Sequence, residues 1–136
     1  MTEITASSVS FRVNGSEATG YLAYPVGLDQ APGVVVIQEW WGLEPHIKDV
    51  TDRFAREGFI ALAPDLFHGK LASYEEPDEA RKMAQALDRD LAVKEIDGAI
   101  RHIKGLPVSN NKVGIVGYCL GGALVLHVAI QSTNVD

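Results

Sequence analysis

The sequence predicts an α/β protein built on a mostly parallel sheet with helices on both faces. Two continuous apolar runs carry this prediction: residues 33–38 (GVVVIQ) and residues 59–63 (FIALA) are typical of strands buried on both sides. Helical periodicity lies between these runs and again after the second, so strands and helices alternate along the chain. Right-handed crossovers between parallel strands would then place helices on both faces of the sheet.

A hairpin precedes the alternating part of the chain. Residues 9–13 and 19–24 are candidate strands, and Asn14 and Gly15 between them are a strong turn signal for a hairpin. Residues 25–32, which begin and end with proline, are expected to form the loop that leads into the buried strand 33–38.

Three helices and two further strands are predicted after that loop and strand. The first helix begins at Pro45 and ends at Gly58, and strand 59–63 then stops at Pro64. One long amphipathic helix is expected over residues 78–104, followed by a buried strand and a last helix over residues 120–130. The apolar positions of the first two helices are Ile47, Val50, Phe54 and Ala55, and then Met83, Leu87, Leu91, Ile96, Ile100 and Ile103. The buried strand begins at Lys112 and ends at Val116.

Size and charge restrict the possible function classes. The 136 residues, 46% of them hydrophobic and only 7% aromatic, fit one domain with a mostly aliphatic core. A formal net charge of −6 argues against nucleic acid and against an anionic membrane as partners. We find no secretory signal and no apolar run near the roughly 20 residues of a membrane span, so a cytoplasmic location is expected.

The single cysteine lies in the sequence Gly117-Tyr-Cys119-Leu-Gly121, between a predicted strand and a predicted helix. In its serine form, Gly-x-Ser-x-Gly at such a junction is the nucleophile elbow of α/β-hydrolases. The glycines are needed because side chains there would strike the neighbouring strand and helix. The turn would place the thiol at the positive end of a helix dipole, which favours the thiolate, and would free the Leu120 N–H to bind an oxyanion.

Two other interpretations of this turn compete with the nucleophile. A lone cysteine is commonly an inert buried hydrophobic residue, and the three-residue pattern alone leaves that reading open. A dinucleotide-binding turn, Gly-x-Gly-x-x-Gly, would need glycine in place of Cys119 and an acidic residue further along, so a nucleotide-binding domain is disfavoured.

Together with three other stretches, the turn resembles the dienelactone hydrolase family of α/β-hydrolases. The matching stretches are QEWWG (residues 38–42), APDLF (63–67), the helical segment 95–102 and KVGIVGYCLGGA (112–123), in the family's order and spacing. The resemblance implies an α/β-hydrolase fold that lacks its C-terminal strands and helices, with residues 1–136 as the N-terminal part of a single domain. It also implies hydrolysis of a lactone or carboxylic ester, with no metal and no organic cofactor.

The resemblance also assigns catalytic roles. Cys119 matches the nucleophile, and Glu39 matches a glutamate that interacts with the thiol and helps to generate the thiolate. The backbone N–H groups of Trp40 and Leu120 match the oxyanion hole. Because a carboxylate beside a thiol disfavours the thiolate, Glu39 would have to move or be neutralised. If the family resemblance is set aside, the alternative is that Glu39 is simply a solvated carboxylate at the end of a strand.

The sequence identifies substrate-binding residues less clearly than catalytic ones. Trp41 is expected to form a pocket wall, with simple packing as the alternative. The best-known family members carry an arginine after Pro64 that holds a substrate carboxylate, but this chain reads DLFHGK there. His68 and Lys70 are candidates for part of that role, although neither offers the bidentate fork of arginine, and His68 has the alternative of an ordinary loop residue. The expected substrate is therefore a small ester or lactone, with the dienelactone itself in doubt.

The family's triad aspartate and histidine would follow Cys119 beyond Asp136 and are not found in this sequence. His127 is no substitute, because about 12 Å of helix, at roughly 1.5 Å per residue, separates it from Cys119. His46 and His102 lie in helical patterns and are expected to be surface or packing residues.

The missing part of the family fold has a second consequence. The strand that begins at Lys112 and ends at Val116 would be interior in the family sheet, whereas here one of its edges is expected to be bare. A bare edge pairs readily with another chain, which predicts a homo-oligomer formed through this edge. The alternative function is accordingly a non-catalytic, self-associating remnant or fragment.

Overall fold

The computed structural model describes residues 2–136, and this range contains five strands and four helices. In chain order the elements are β1 (Ile4–Val13), β2 (Ser16–Pro25), β3 (Ala31–Ile37), α1 (Pro45–Arg56), β4 (Ile60–Pro64), α2 (Pro77–Ala86), α3 (Arg89–Lys104), β5 (Ser109–Gly117) and α4 (Leu120–Gln131). The α/β class predicted from the sequence is confirmed.

The five strands form one sheet in the order β1-β2-β4-β3-β5. Strand β2 is antiparallel to both of its neighbours, β1 and β4, whereas β3 is parallel to β4 and β5. Four of the five strands therefore run in one direction, and the sheet is mostly parallel, as predicted.

The first two strands form the predicted hairpin. Val13 pairs with Ser16 across a two-residue turn in which Asn14 has φ 40° and Gly15 has φ 87°. These positive φ angles are tolerated best by asparagine and glycine, which explains why the Asn-Gly pair selects this turn.

The sheet is covered on both faces, and the continuous apolar run of β3 contributes side chains to the core on each face. Val34 and Val36 pack in a cluster with Ile47 of α1. Val35 and Ile37 point to the opposite face and pack in the larger cluster, which contains apolar side chains of α3 and α4. Because side chains alternate along a strand, a run without polar residues is what a two-sided core requires.

The long helix expected over residues 78–104 is instead two helices. The backbone is extended at Leu87, with φ −64° and ψ 125°, and α3 begins with Asp88 as its N-cap. The Asp88 carboxylate accepts a hydrogen bond from the backbone N–H of Leu91 at 3.1 Å. The prediction of one helix was wrong because Met83, Leu87 and Leu91 keep a helical spacing across a break that the aspartate creates.

Strand β5 lies at the edge of the sheet, but its edge is only partly bare. The N–H of Asp136 donates to the carbonyl of Val113 at 2.9 Å, and the N–H of Val113 donates to the Asp136 carboxylate at 3.0 Å. Lys104 Nζ lies 3.0 Å from the same carboxylate. The backbone hydrogen bond, followed by the Lys104 contact, lowers the pKa of Asp136. The segment after α4 therefore occupies the edge at Val113, which corrects the expectation of a fully open strand.

Candidate active site

Cys119 lies between β5 and α4, at the carboxyl edge of the parallel strands, and is exposed to solvent. Its φ of 57° and ψ of −121° belong to a backbone region that residues other than glycine rarely adopt. Such a conformation costs about 1–3 kcal/mol and is kept only where the surrounding structure enforces it. The strained strand-to-helix turn predicted from the sequence is therefore present.

The two glycines that flank the cysteine enforce this turn. A Cβ on Gly117 would lie 2.6 Å from the carbonyl carbon and oxygen of Gly121. A Cβ on Gly121 would lie 2.7 Å from the carbonyl oxygen of Gln38 and 2.8 Å from that of Ile37. The first turn of α4 thus packs directly on its own strand and on the end of β3, as the sequence argument required.

Hydrogen bonds within the turn leave the backbone N–H of Leu120 free beside the thiol. The N–H of Gly121 donates to the carbonyl of Tyr118 at 2.9 Å, and that of Ala123 donates to the carbonyl of Cys119 at 3.2 Å. The N–H groups of Leu120 and Trp40 have no hydrogen-bond acceptor among residues 2–136. Both groups remain available to an oxygen atom that comes from outside the protein.

The end of β3 places Glu39 and Trp40 next to the elbow. Ile37 pairs with Gly117, so Glu39 and Cys119 follow their strands at equivalent positions, and neighbouring strands lie about 4.8 Å apart. A tight turn begins at Glu39, whose carbonyl accepts from the N–H of Gly42 at 3.2 Å. Glu39 is half-buried in this turn.

Aromatic side chains continue this turn away from the elbow. The ring centroids of Trp40 and Trp41 are 5.5 Å apart in an edge contact, and that of Trp41 is 4.7 Å from the ring of Tyr74. The hydroxyl of Tyr74 donates to the carboxylate of Glu44, and this hydrogen bond is the main cause that raises the pKa of Tyr74 to about 12. Sequence reasoning missed Tyr74, since a tyrosine in a polar loop carries no signal of its partners.

The loop after β4 is tied to the same edge of the sheet. Buried Gln38 accepts a hydrogen bond from the N–H of Leu66 at 2.9 Å. Further along, His68 Nε2 lies 3.0 and 2.9 Å from the two carboxylate oxygens of Glu95 on α3. Glu95 is only 4% exposed, and its burial raises its pKa, an effect that the hydrogen bond and charge of His68 partly offset. Sequence reasoning missed the role of Glu95, whose carboxylate holds His68 in place.

A groove of about 250 Å³ opens beside this pair. His68 and Lys70 line it together with apolar side chains of α2 and α3, including Met83 and Leu87. Cys119, Glu39 and the two tryptophans do not line it. The structure therefore separates the expected site residues into two groups: Glu39, Trp40, Trp41, Cys119 and Leu120 lie at the ends of β3 and β5, and His68 and Lys70 lie at the groove.

Comparison with known proteins connects this geometry to a family. A sequence model described as the dienelactone hydrolase family matches residues 18–136. The chain belongs to this family. Protein usf of Aquifex pyrophilus is 40% identical over 130 residues, which cover 89% of this chain and 54% of that protein. Carboxymethylenebutenolidase 1 of Cupriavidus pinatubonensis is 34% identical over 137 residues, which cover 96% of this chain and 56% of that enzyme.

Solved structures agree with the dienelactone hydrolase assignment. A dienelactone hydrolase-like promiscuous phosphotriesterase from metagenomic libraries superposes with a TM-score of 0.81 at 26% identity, over 98% of this chain and 56% of the other. The α/β-hydrolase fold expected from the resemblance is thereby confirmed. The chain spans about half the length of the curated relatives it matches.

The four histidines of the chain are found in α1, in the loop after β4, in α3 and in α4. No hydrogen bond joins any of the four to Cys119 within residues 2–136. His102 packs on the ring of Phe11 with centroids 5.9 Å apart, and burial lowers its pKa. His127 lies on α4, two turns beyond Cys119.

Neither a cluster of metal-binding side chains nor a membrane-spanning helix occurs within residues 2–136. In residues 2–136 no group of three or more histidine, cysteine, aspartate or glutamate side chains is arranged to hold a metal ion. No helix in the same range combines the length and the apolar character that crossing a bilayer requires.

Proposed function

We propose that this protein is a carboxylic ester or lactone hydrolase in which Cys119 is the nucleophile. The observation that carries the proposal is the exposed thiol in a strained elbow at the N-terminus of α4, with its two glycines packed against the turn and β3. The Cys119 thiolate would attack the carbonyl carbon and expel the alcohol, which leaves a thioester. Water would then hydrolyse the thioester to the acid and regenerate the thiol.

Backbone N–H groups of Trp40 and Leu120 would stabilise the oxyanion that forms in both steps. Both lie at the carboxyl edge beside Cys119 and lack a protein acceptor, which supports this role. Glu39 would interact with the thiol and generate the thiolate once substrate displaces or neutralises its carboxylate. Asp65 also follows a strand at this edge, but that strand is β4, which β3 separates from β5.

We further propose that the substrate is a small molecule bound at the same edge of the sheet. Trp41, half-buried beside Trp40, would form a wall of its pocket. His68 and Lys70 would contact the more distant end of a substrate, reached through the groove that they line. We regard residues 1–136 as the N-terminal part of a single hydrolase domain and the cytoplasm as its location.

An activated ester tests the nucleophile directly. Mixing the protein with p-nitrophenyl acetate should release about one equivalent of p-nitrophenol per thiol in a fast phase, followed by slow turnover, because acylation needs only the thiolate and the oxyanion donors. Intact-mass analysis should show a single acetyl group on Cys119. Cys119→Ala should abolish both signals. Equal release by the wild type and by Cys119→Ala would refute the proposal.

The second candidate function is a non-catalytic chain that self-associates. Leu126 and Ile130 on α4 are 62% and 77% exposed, and the outer edge of β5 beyond Val113 has no strand partner within residues 2–136. Apolar helix faces and open strand edges both favour contact with a second copy. Sedimentation velocity at tens of micromolar tests it: a dimer or larger species is expected, and a monodisperse monomer would exclude it.

A further inference from the structure

The groove of about 250 Å³ on the α2 and α3 side lies where α/β proteins commonly bind ligands. Its walls are the loop after β4 and residues on both sides of the break between α2 and α3, so it opens near the carboxyl edge of the parallel strands. Crevices at this edge are the usual ligand sites of open α/β sheets. Because Cys119 does not line the groove, any ligand site here is separate from the thiol.

Apolar side chains make up most of the groove lining. They are Leu66, Phe67, Met83, Ala86, Leu87 and Leu91. Phe67 offers an aromatic ring and Met83 a flexible thioether, and both make favourable contacts with aromatic rings. A dry cavity of about 150 Å³ already holds one benzene molecule, so a groove of about 250 Å³ admits one ring or two fused rings. The apolar part of a ligand is therefore expected to be a small aromatic ring system.

One polar pair in the groove has a fixed orientation. His68 Nε2 contacts both carboxylate oxygens of Glu95, which is 4% exposed. Because an ionised carboxylate only accepts hydrogen bonds, Nε2 carries the proton, and Nδ1 of the neutral ring is left as an acceptor. No hydrogen bond within residues 2–136 uses Nδ1, and the His68 side chain is 55% exposed. A ligand can therefore donate a hydrogen bond to this nitrogen.

The charged side chains of the groove restrict the polar group of the ligand. Lys70 lines the groove and takes part in no ion pair within residues 2–136, so its ammonium can donate to a ligand oxygen. Asp88 and Glu95 line the same groove and disfavour an anion. A hydroxyl group fits these conditions, because it is neutral, donates one hydrogen bond and accepts others. A carboxylate has no proton to donate, and an ammonium group cannot accept.

We propose that this groove binds a neutral aromatic alcohol of one or two rings. The hydroxyl donates to His68 Nδ1 and accepts from Lys70, and the ring packs on Phe67 and Met83. The inference goes beyond the proposed function, because such binding needs neither the Cys119 thiol nor ester turnover. A failed ester assay would leave it intact, and successful ester hydrolysis would not support it.

Four naphthalene derivatives with one shared ring system test the polar group of the ligand. They are 2-naphthol, its methyl ether, anionic 2-naphthoate and cationic 2-naphthylmethylammonium, each titrated into the protein at neutral pH by isothermal titration calorimetry. One equivalent of 2-naphthol should bind with a Kd below about 1 mM, as ordinary ligand efficiencies allow for its size. The methyl ether, which cannot donate to His68, and both ions should bind about fivefold more weakly. Absence of saturable 2-naphthol binding, or equal or tighter binding of any other probe, would overturn the proposal.

Two tryptophan variants locate the binding site. Ala86 is exposed and lines the groove, so Ala86→Trp should occupy part of the groove without disturbing the core. It should weaken 2-naphthol binding about tenfold, because the ring loses its apolar contacts. Gln85→Trp changes the neighbouring exposed residue, which does not line the groove, and should leave the Kd unchanged. An equal effect of both variants on the Kd would refute this location.

Substitutions at the polar side chains separate their contributions. Lys70→Met should weaken 2-naphthol about threefold, whereas Lys82→Met, at an exposed lysine of α2 outside the groove lining, should have no effect. His68→Asn places a residue tolerated at φ 53° and should make 2-naphthol and its methyl ether bind alike. If His68→Asn keeps the preference for the alcohol, or if both lysine variants behave alike, the proposed hydrogen bonds are wrong.

Discussion

Substitution of Gly121 by alanine tests the contact that creates the elbow. The new Cβ would lie 2.7 and 2.8 Å from the carbonyl oxygens of Gln38 and Ile37, which are backbone atoms and cannot rotate away. Overpacking costs about 1–3 kcal/mol in general and about 2–3 kcal/mol here, because two rigid backbone oxygens are struck at once, whereas alanine gains about 1 kcal/mol over glycine inside a helix. The net expectation is a loss of about 1–2 kcal/mol, which lowers Tm by about 3–6 °C at this chain length.

Gly122 provides a matched control on the same helix. A Cβ there would lie 3.4 Å from the carbonyl oxygen of Gly117, an ordinary van der Waals contact, so only the helix-propensity gain remains. Gly122→Ala should therefore raise Tm by about 3 °C, opposite in sign to Gly121→Ala. Thermal unfolding by circular dichroism measures both, and alkylation by iodoacetamide reports whether the Cys119 thiol has moved. If Gly121→Ala is as stable and as reactive as the wild type, the close packing described here is wrong.

Three further predictions follow from contacts outside the elbow glycines. His68→Ala should raise the pKa of Glu95 further, because it removes the hydrogen bond and charge that lower it. Since a raised carboxyl pKa favours the fold at low pH, stability should fall as pH rises through that pKa. Carboxyl ¹³C NMR measures the pKa and denaturation at several pH values measures the stability, and no change in either would contradict the prediction. Asp88→Ala should lower the free energy of unfolding by about 1 kcal/mol because the N-cap of α3 is lost, whereas Asp88→Asn should keep most of that stability. Equal urea midpoints for the two variants would argue against the cap. Cys119→Gly should be about 1 kcal/mol more stable than Cys119→Ala, because only glycine relieves the positive φ, and the reverse order would exclude backbone strain.

The fold could be predicted wherever a local pattern has a single structural solution. The Asn14-Gly15 pair selects a tight hairpin, and the run at 33–38 requires a sheet with two covered faces. The break at Leu87 and Asp88 was missed because apolar spacing continues across it, and only the capping hydrogen bond separates α2 from α3. Periodicity describes which face is buried, and it does not detect an interruption that preserves that face.

The candidate site was predictable to the extent that sequence neighbours determine it. The elbow follows from the glycines on either side of Cys119, which are adjacent in the chain. The partners of His68 and Tyr74 could not be found in this way, because Glu95 and Glu44 lie 27 and 30 residues away from them. Such pairs depend on how loops pack on the sheet, which one sequence without its relatives does not encode in a readable pattern.

The segment after α4 changes the expectation for self-association through β5. Backbone groups of a strand alternate in direction, so the outward groups of β5 that follow Val113 belong to Ile115 and Gly117. Val113 itself is already bound by Asp136, which leaves only these two residues to pair with another chain. An edge of this length forms too few hydrogen bonds to hold a dimer, because a lone pair of strands is marginal even when it is longer. Any stable association must therefore also bury the exposed apolar side chains of α4, and the surface to examine is the helix rather than the strand.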